Sequence, residues 1–173
     1  VITPDFTEVT VPSNICPLNF AVQEGATDVV AHVSYPGGSQ TFGSGTKVII
    51  EENDWKEMLS KAEGKNLKVE VYAKVNGTWK AFSPFNIYIA PDTIDSYISY
   101  RVIQPSYVAY EKLSINERNI TNFDEREIYN NMSVSTEDKG QCINCHSYQN
   151  FKTENMLFHM RQAYGGTMIV NNG

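Results

Sequence analysis

The chain has 173 residues with 14 Lys and Arg against 20 Asp and Glu, a net charge of −6 and a pI near 5.0. That length holds one core of about 100–150 residues plus a small appendage, and an acidic balance without a Lys/Arg cluster argues against a nucleic-acid partner. No apolar run approaches the roughly 18 residues of a membrane span, and three cysteines exclude a disulfide framework.

The sequence opens at Val1 without a charged n-region or an apolar h-region, as a mature or trimmed chain with its export signal removed would. From there to about Ala90 the texture is β. Phe6–Val11, Leu18–Val22 and Asp28–Val33 are short β-branched or aromatic runs separated by turn residues such as Pro12-Ser-Asn14 and Pro36-Gly-Gly38. Between Asn53 and Glu63, Trp55, Met58, Leu59 and Ala62 fall at helical spacing, with Asn53 as the cap and Gly64 as the stop. Leu67–Val75 then alternates with period two, meets Asn76-Gly77 and returns as Thr78–Phe82, a hairpin signature. Pro84 permits an edge or strand-start position for Phe85–Ile89. Six or seven strands with one crossing helix predict a mainly β fold, an antiparallel Ig-like β-sandwich over residues 1–90.

Residues 91–173 are predicted as an irregular wrap with short helices. Tyr and Asn dominate at first, strand alternation fades, and Asp124, Glu125 and Glu127 suggest a solvated helical turn rather than paired catalytic carboxylates. Gln141-Cys-Ile-Asn-Cys-His146 carries the chemistry. A C-x-x-C-H run is the attachment signature of c-type haem, in which both thiols add to the porphyrin vinyl groups and the adjacent imidazole takes an axial site on iron. Cys142 and Cys145 are therefore the attachment residues and His146 the proximal ligand. A helix is predicted from Glu154 to about Tyr164, capped by Thr153 and closed by Gly165-Gly166, with Met156, His159 and Met160 on one face. His159 or Met168 is the distal candidate, Met160 and Met156 trail, and Lys152 and Arg161 are the cations nearest to neutralise propionates.

A C-x-x-C pair also serves zinc, thiol redox or a short-loop disulfide. Zinc lacks a clean second ligand pair, since His159 would need help from the awkwardly adjacent His146 or from distant Cys16 or His32. Gly43-Ser-Gly45 lacks the third glycine of a dinucleotide loop, and no G-x-S-x-G or calcium loop is present. The sequons at Asn76, Asn119 and Asn131 carry no weight.

Ile87-Tyr-Ile-Ala-Pro-Asp92, Tyr100–Pro105, Glu117-Arg-Asn119, Asn122-Phe123, Gln141–Ser147, Phe158-His-Met-Arg161 and Gly165-Gly-Thr-Met168 together resemble the front part of bacterial cell-envelope proteins of the cytochrome-c-biosynthesis-like or TolB-like kind. In those, similar segments precede a β-propeller, whereas this sequence stops at Asn171-Asn-Gly173 without propeller repeats. The resemblance covers residues 80–173 well and the sandwich loosely. It implies an exported protein of the periplasm or outer envelope, with a lipid anchor on its precursor and a haem-c site. The expected function is electron transfer or redox sensing with an envelope protein as partner. The alternative is an envelope binding or assembly module in which the cysteine pair is structural, as a disulfide or zinc site. An electron carrier or binding module is expected before an enzyme; peroxidase-like activity would need an open distal face.

Overall fold

The computed structural model describes every residue except Glu24, 106–109, 136–140 and Gly173. The chain is mainly β with antiparallel sheets and divides into two compact units, residues 1–96 with 120–122, and residues 97–119 with 123–173.

The first unit contains β1 (Ile2–Thr3), β2 (Val9–Pro12), β3 (Phe20–Val22), β4 (Ala26–Tyr35), β5 (Gly38–Phe42), β6 (Lys47–Val48), α1 (Glu52–Ala62), β7 (Asn66–Val75), β8 (Thr78–Ala81) and β9 (Phe85–Ala90). A three-stranded sheet runs β1-β3-β6. A six-stranded sheet runs β2-β9-β7-β4-β5, with β8 beside β7. Long β7 pairs with β4 along one edge and shares its other edge between β9, at Asn66–Val69, and β8, at Tyr72–Val75. Among the described strands, only β2 and β9 pair in parallel.

Alternation explains the burial. Leu67, Val69, Val71 and Ala73 of β7 are buried opposite Val29, Ala31 and Val33 of β4, in one cluster with Phe20, Val48, Phe85, Ile87 and Ile89. Trp55, Met58, Leu59 and Ala62 join it from α1, as the helical spacing predicts. The Trp55 indole N–H donates to the Ile15 carbonyl at 2.9 Å, so the ring is buried without an unpaired donor. The predicted Asn53 cap is corrected: the Glu51 carbonyl accepts the first intrahelical bond, from Trp55 N at 2.9 Å, so the cap position is Glu51. Asn76 (φ 52°) and Gly77 (φ 80°) turn the β7–β8 hairpin, both in the left-handed region a type I′ turn requires. At Gly43 a side chain would stand 2.1 Å from the Val29 carbonyl oxygen, so close backbone approach explains that glycine.

The second unit differs from the sequence prediction. Its described residues form no α-helix; they form β10 (Tyr97–Val102), β11 (Ser114–Asn119) and β12 (Glu125–Asn130) in one antiparallel sheet, and β13 (Gln141–Tyr148), β14 (Asn155–Gln162) and β15 (Gly166–Asn171) in another. Two short 3-10 turns, Tyr110–Lys112 and Gln149–Phe151, are the helical elements described. The irregular, helical wrap over 91–173 is therefore corrected to two three-stranded meanders, and the supposed helical turn at Asp124–Glu127 runs into β12. The predicted helix over Glu154–Tyr164 is β14 and its turn. Met156 and Met160, four apart, fit either period, but burial of Phe158 between them, with Leu157 and His159 exposed, is period two. Leu113, Ile115, Ile143, Met156, Phe158 and Met160 form this unit's core, which draws on both sheets.

Candidate functional site at the β13 bulge

Strict alternation would place Cys142 and Cys145, three apart, on opposite faces of a strand. The ladder avoids this. Ile143 pairs with Met160 and His146 with Phe158, so Asn144 and Cys145 together oppose the single residue His159. This bulge shifts the parity of everything that follows. Cys142, opposite exposed Arg161, and exposed Cys145, opposite exposed His159, share the solvent side of the sheet. Ile143, wholly buried, and His146, opposite buried Phe158, lie on the apolar side.

Both thiols are free, Cys142 half-buried and Cys145 exposed. Among the described residues their sulfurs make long contacts, Cys142 to the Ile143 carbonyl at 3.9 Å and Cys145 to Asn144 Oδ1 at 3.7 Å. Asn144 also accepts from Arg101 Nη1, which ties the bulge to β10. His159 Nδ1 lies 3.5 Å from Thr167 Oγ1, its register partner on β15. The His146 ring packs edge-on to Tyr148, with centroids 6.1 Å apart. Met168 sits half-buried on the apolar side beyond Phe158, so His146, Phe158 and Met168 form a row across three strands.

Sequence reasoning met Asn131 only as a sequon and missed its structural role. It is wholly buried, and its Oδ1 accepts the Ile143 N–H at 2.7 Å while its own N–H donates to the Leu113 carbonyl at 3.0 Å. It therefore fixes the strand that carries the cysteines.

The carboxylates at Glu117 and Glu125 accept from both charged and neutral donors. Buried Glu117 accepts from Arg126 Nε at 2.8 Å. Tyr100 and then Asn116 donate to Glu125 and hold its carboxyl below the usual range. A polar cavity of about 690 Å³ lies beside them, lined by Tyr97, Glu117, Asp124, Glu125, Arg126 and Glu154 among others.

Covalent haem fits one half of the arrangement. A group joined to both sulfurs would lie on the solvent side, where the thiols and His159 are; His146 is on the other side, and the extended backbone between Cys145 and His146 keeps it there. Among the described residues no three His, Cys, Asp or Glu side chains are grouped to hold a metal ion, and no helix is long and apolar enough to cross a membrane. No protein-family model, no curated protein and no solved structure matches the chain.

Proposed function

We propose that the chain is an exported redox module of the cell envelope, for electron transfer or redox sensing, with c-type haem attached through Cys142 and Cys145. The observation that carries this reading is the parity of the bulge, which turns two free thiols of a C-x-x-C-H run to the same solvent side. Haem supplies one-electron chemistry when bound. The chain's part is attachment and orientation. A proximal role for His146 requires residues 144–146 to leave the β13 ladder, because the ring otherwise stays with Tyr148. Of the distal candidates, exposed His159 is already on the thiol side, whereas Met168 is held in the apolar row, which favours His159.

The first unit serves as scaffold, and its short, mostly antiparallel strands in two sheets around one core support an Ig-like sandwich. Kinship with the cytochrome-c-biosynthesis-like or TolB-like envelope proteins rests on the quoted segments, as do the periplasmic or outer-envelope location, the lipid-anchored precursor and the envelope redox partner. A second reading, an envelope binding or assembly module with a structural Cys142–Cys145 disulfide, is favoured by the same shared side.

Intact mass and a pyridine haemochrome spectrum of natively exported protein test the proposal. The expected result is an α-band and a mass raised by one haem, both lost in Cys142→Ser and Cys145→Ser. Apoprotein mass without an α-band overturns it, and a mass lowered by two hydrogens establishes the disulfide.

A further inference from the structure

The water-facing side of an antiparallel sheet is expected to be polar, and the solvent side of β13, β14 and β15 departs from that in one place. Cys145, His159 and Thr167 form a row across the three strands. Cys142 and Arg161 lie in the row on one side of it, and Leu157 and Ile169 in the row on the other. Leu157 and Ile169 are direct register partners, 46 % and 79 % exposed. A single exposed apolar residue needs no explanation. Two in one pair, a row away from a thiol and an imidazole, make a compact apolar step on a polar face.

His159 Nδ1 lies 3.5 Å from Thr167 Oγ1. When Nδ1–H donates to this hydroxyl, the imidazole keeps its lone pair on Nε2, the arrangement by which an outer partner orients a metal-binding histidine. Arg161, exposed in the next row, supplies a cation. Rows on one side are about 6.7 Å apart and strands about 4.8 Å. An apolar pair, a nitrogen ligand, a guanidinium and two thiols therefore share one patch three rows deep. That set complements a planar apolar iron macrocycle with carboxylates on its rim, because each kind of group finds a partner. A polypeptide laid over the same face would use the apolar pair alone. This side of the three strands carries no carboxylate, so a second copy packed face to face would offer Arg161 no anion.

Resting on the haem function proposed above, we propose that the solvent side of β14 and β15 is the docking face for the haem ring. Leu157 and Ile169 are its apolar floor, His159 is the iron ligand, and Thr167 is the residue that positions the imidazole. Docking involves an iron–nitrogen bond and apolar contact, with no thioether bond and no part for His146 on the other side of the sheet. Cys142 and Cys145 border the face, so a docked ring is held beside the thiols before attachment.

The test is a titration of the full chain carrying Cys142→Ser and Cys145→Ser with ferric protoporphyrin IX, followed by the Soret band and by low-temperature EPR. The two substitutions remove attachment and thiolate ligation. One-to-one binding with the spectrum of a nitrogen-ligated iron is expected. Adding His159→Ala should abolish that spectrum, and adding His146→Ala should leave it unchanged. Leu157→Ser with Ile169→Ser, both at exposed sites, should weaken binding by about tenfold or more without unfolding the sheet. Thr167→Val should shift the g-values of the bound iron and Thr167→Ser restore them, a response that a structural role for the hydroxyl would not give. Binding and spectra indifferent to Leu157, Ile169 and His159 overturn the docking face, even where natively exported protein carries covalent haem by mass. Apoprotein mass after native export, together with these dependences in the titration, overturns attachment and leaves the docking face standing. Haem-free self-association that Leu157→Ser with Ile169→Ser dissolves also overturns the docking face, by making a second copy its occupant.

Discussion

Cys145 and His159 share the solvent side of the β13–β14 ladder because the bulge sets Asn144 and Cys145 against His159 alone. The same bulge separates His146 from the thiol beside it in sequence. Parity thus decides which imidazole accompanies the sulfurs, and thiol labelling reads it. Exposed Cys145 should react with iodoacetamide before half-buried Cys142 in the folded apoprotein, as followed by peptide mass mapping. Deleting Asn144 should regularise the ladder, leave both thiols reactive, and abolish the proposed haem attachment by shortening C-x-x-C to C-x-C. Protected thiols in the folded apoprotein would contradict the assignment of faces.

The first unit was largely legible in sequence because its signals agree with one another. In β7 and α1 the apolar period matches local propensity, and Asn76-Gly77 supplies the backbone its turn demands. In β14 the signals conflict. Met156, Met160 and the downstream Gly165-Gly166 suit a helix as well as a strand, and only partners on β13 and β15 decide. The cysteine motif was visible in the sequence, but its geometry was not, because a bulge is a property of two strands in register and leaves no mark in the five residues that contain it.

Asn131 offers a second test of how the cysteine strand is held. Asn131→Ala would leave the buried Ile143 N–H without its acceptor, at a cost of about 1–3 kcal/mol. Asn131→Asp retains the acceptor oxygen, although it introduces a charge into a buried site. Urea denaturation should show a lower midpoint for Asn131→Ala, together with faster amide exchange through residues 142–146. An unchanged midpoint would mean that another group satisfies Ile143.

Trp55 anchors the first unit in two separable ways. Trp55→Ala removes a side chain only 1 % exposed and should cost about 3–5 kcal/mol through lost burial and a residual cavity. Trp55→Phe keeps most of the apolar volume but leaves the Ile15 carbonyl without its indole donor, and should cost about 1–3 kcal/mol. Chemical denaturation measures both, with exposed Trp79 left as a fluorophore. Equal losses would show that the indole hydrogen bond, rather than packing around the ring, sets the stability.

Glu8 makes the first unit sensitive to pH at both ends of the scale. Its carboxylate accepts the Asn86 backbone N–H at 2.7 Å and the Tyr88 hydroxyl at 2.9 Å, linking the residue before β2 to β9. The Asn86 N–H first, and then the Tyr88 hydroxyl, hold the Glu8 carboxyl below its ordinary value of 4.5. A depressed acid contributes stability that is fully present above pH 4.5 and is lost as pH falls through the lower folded value. Tyr88 moves the other way, because donating to Glu8 raises its phenol above 10.0. Its contribution is present below pH 10.0 and disappears as pH rises through the raised value. Urea midpoints measured across pH should therefore fall at both extremes in the native sequence. Glu8→Gln should remove the acid-side dependence due to this carboxyl and bring the Tyr88 titration back towards its ordinary value, whereas Tyr88→Phe should remove the alkaline dependence and reduce the acid one. Both residues are exposed, so the effects should be small and unequal: if Glu8→Gln leaves the acid slope unaltered, the clamp between Glu8 and β9 does not form in solution.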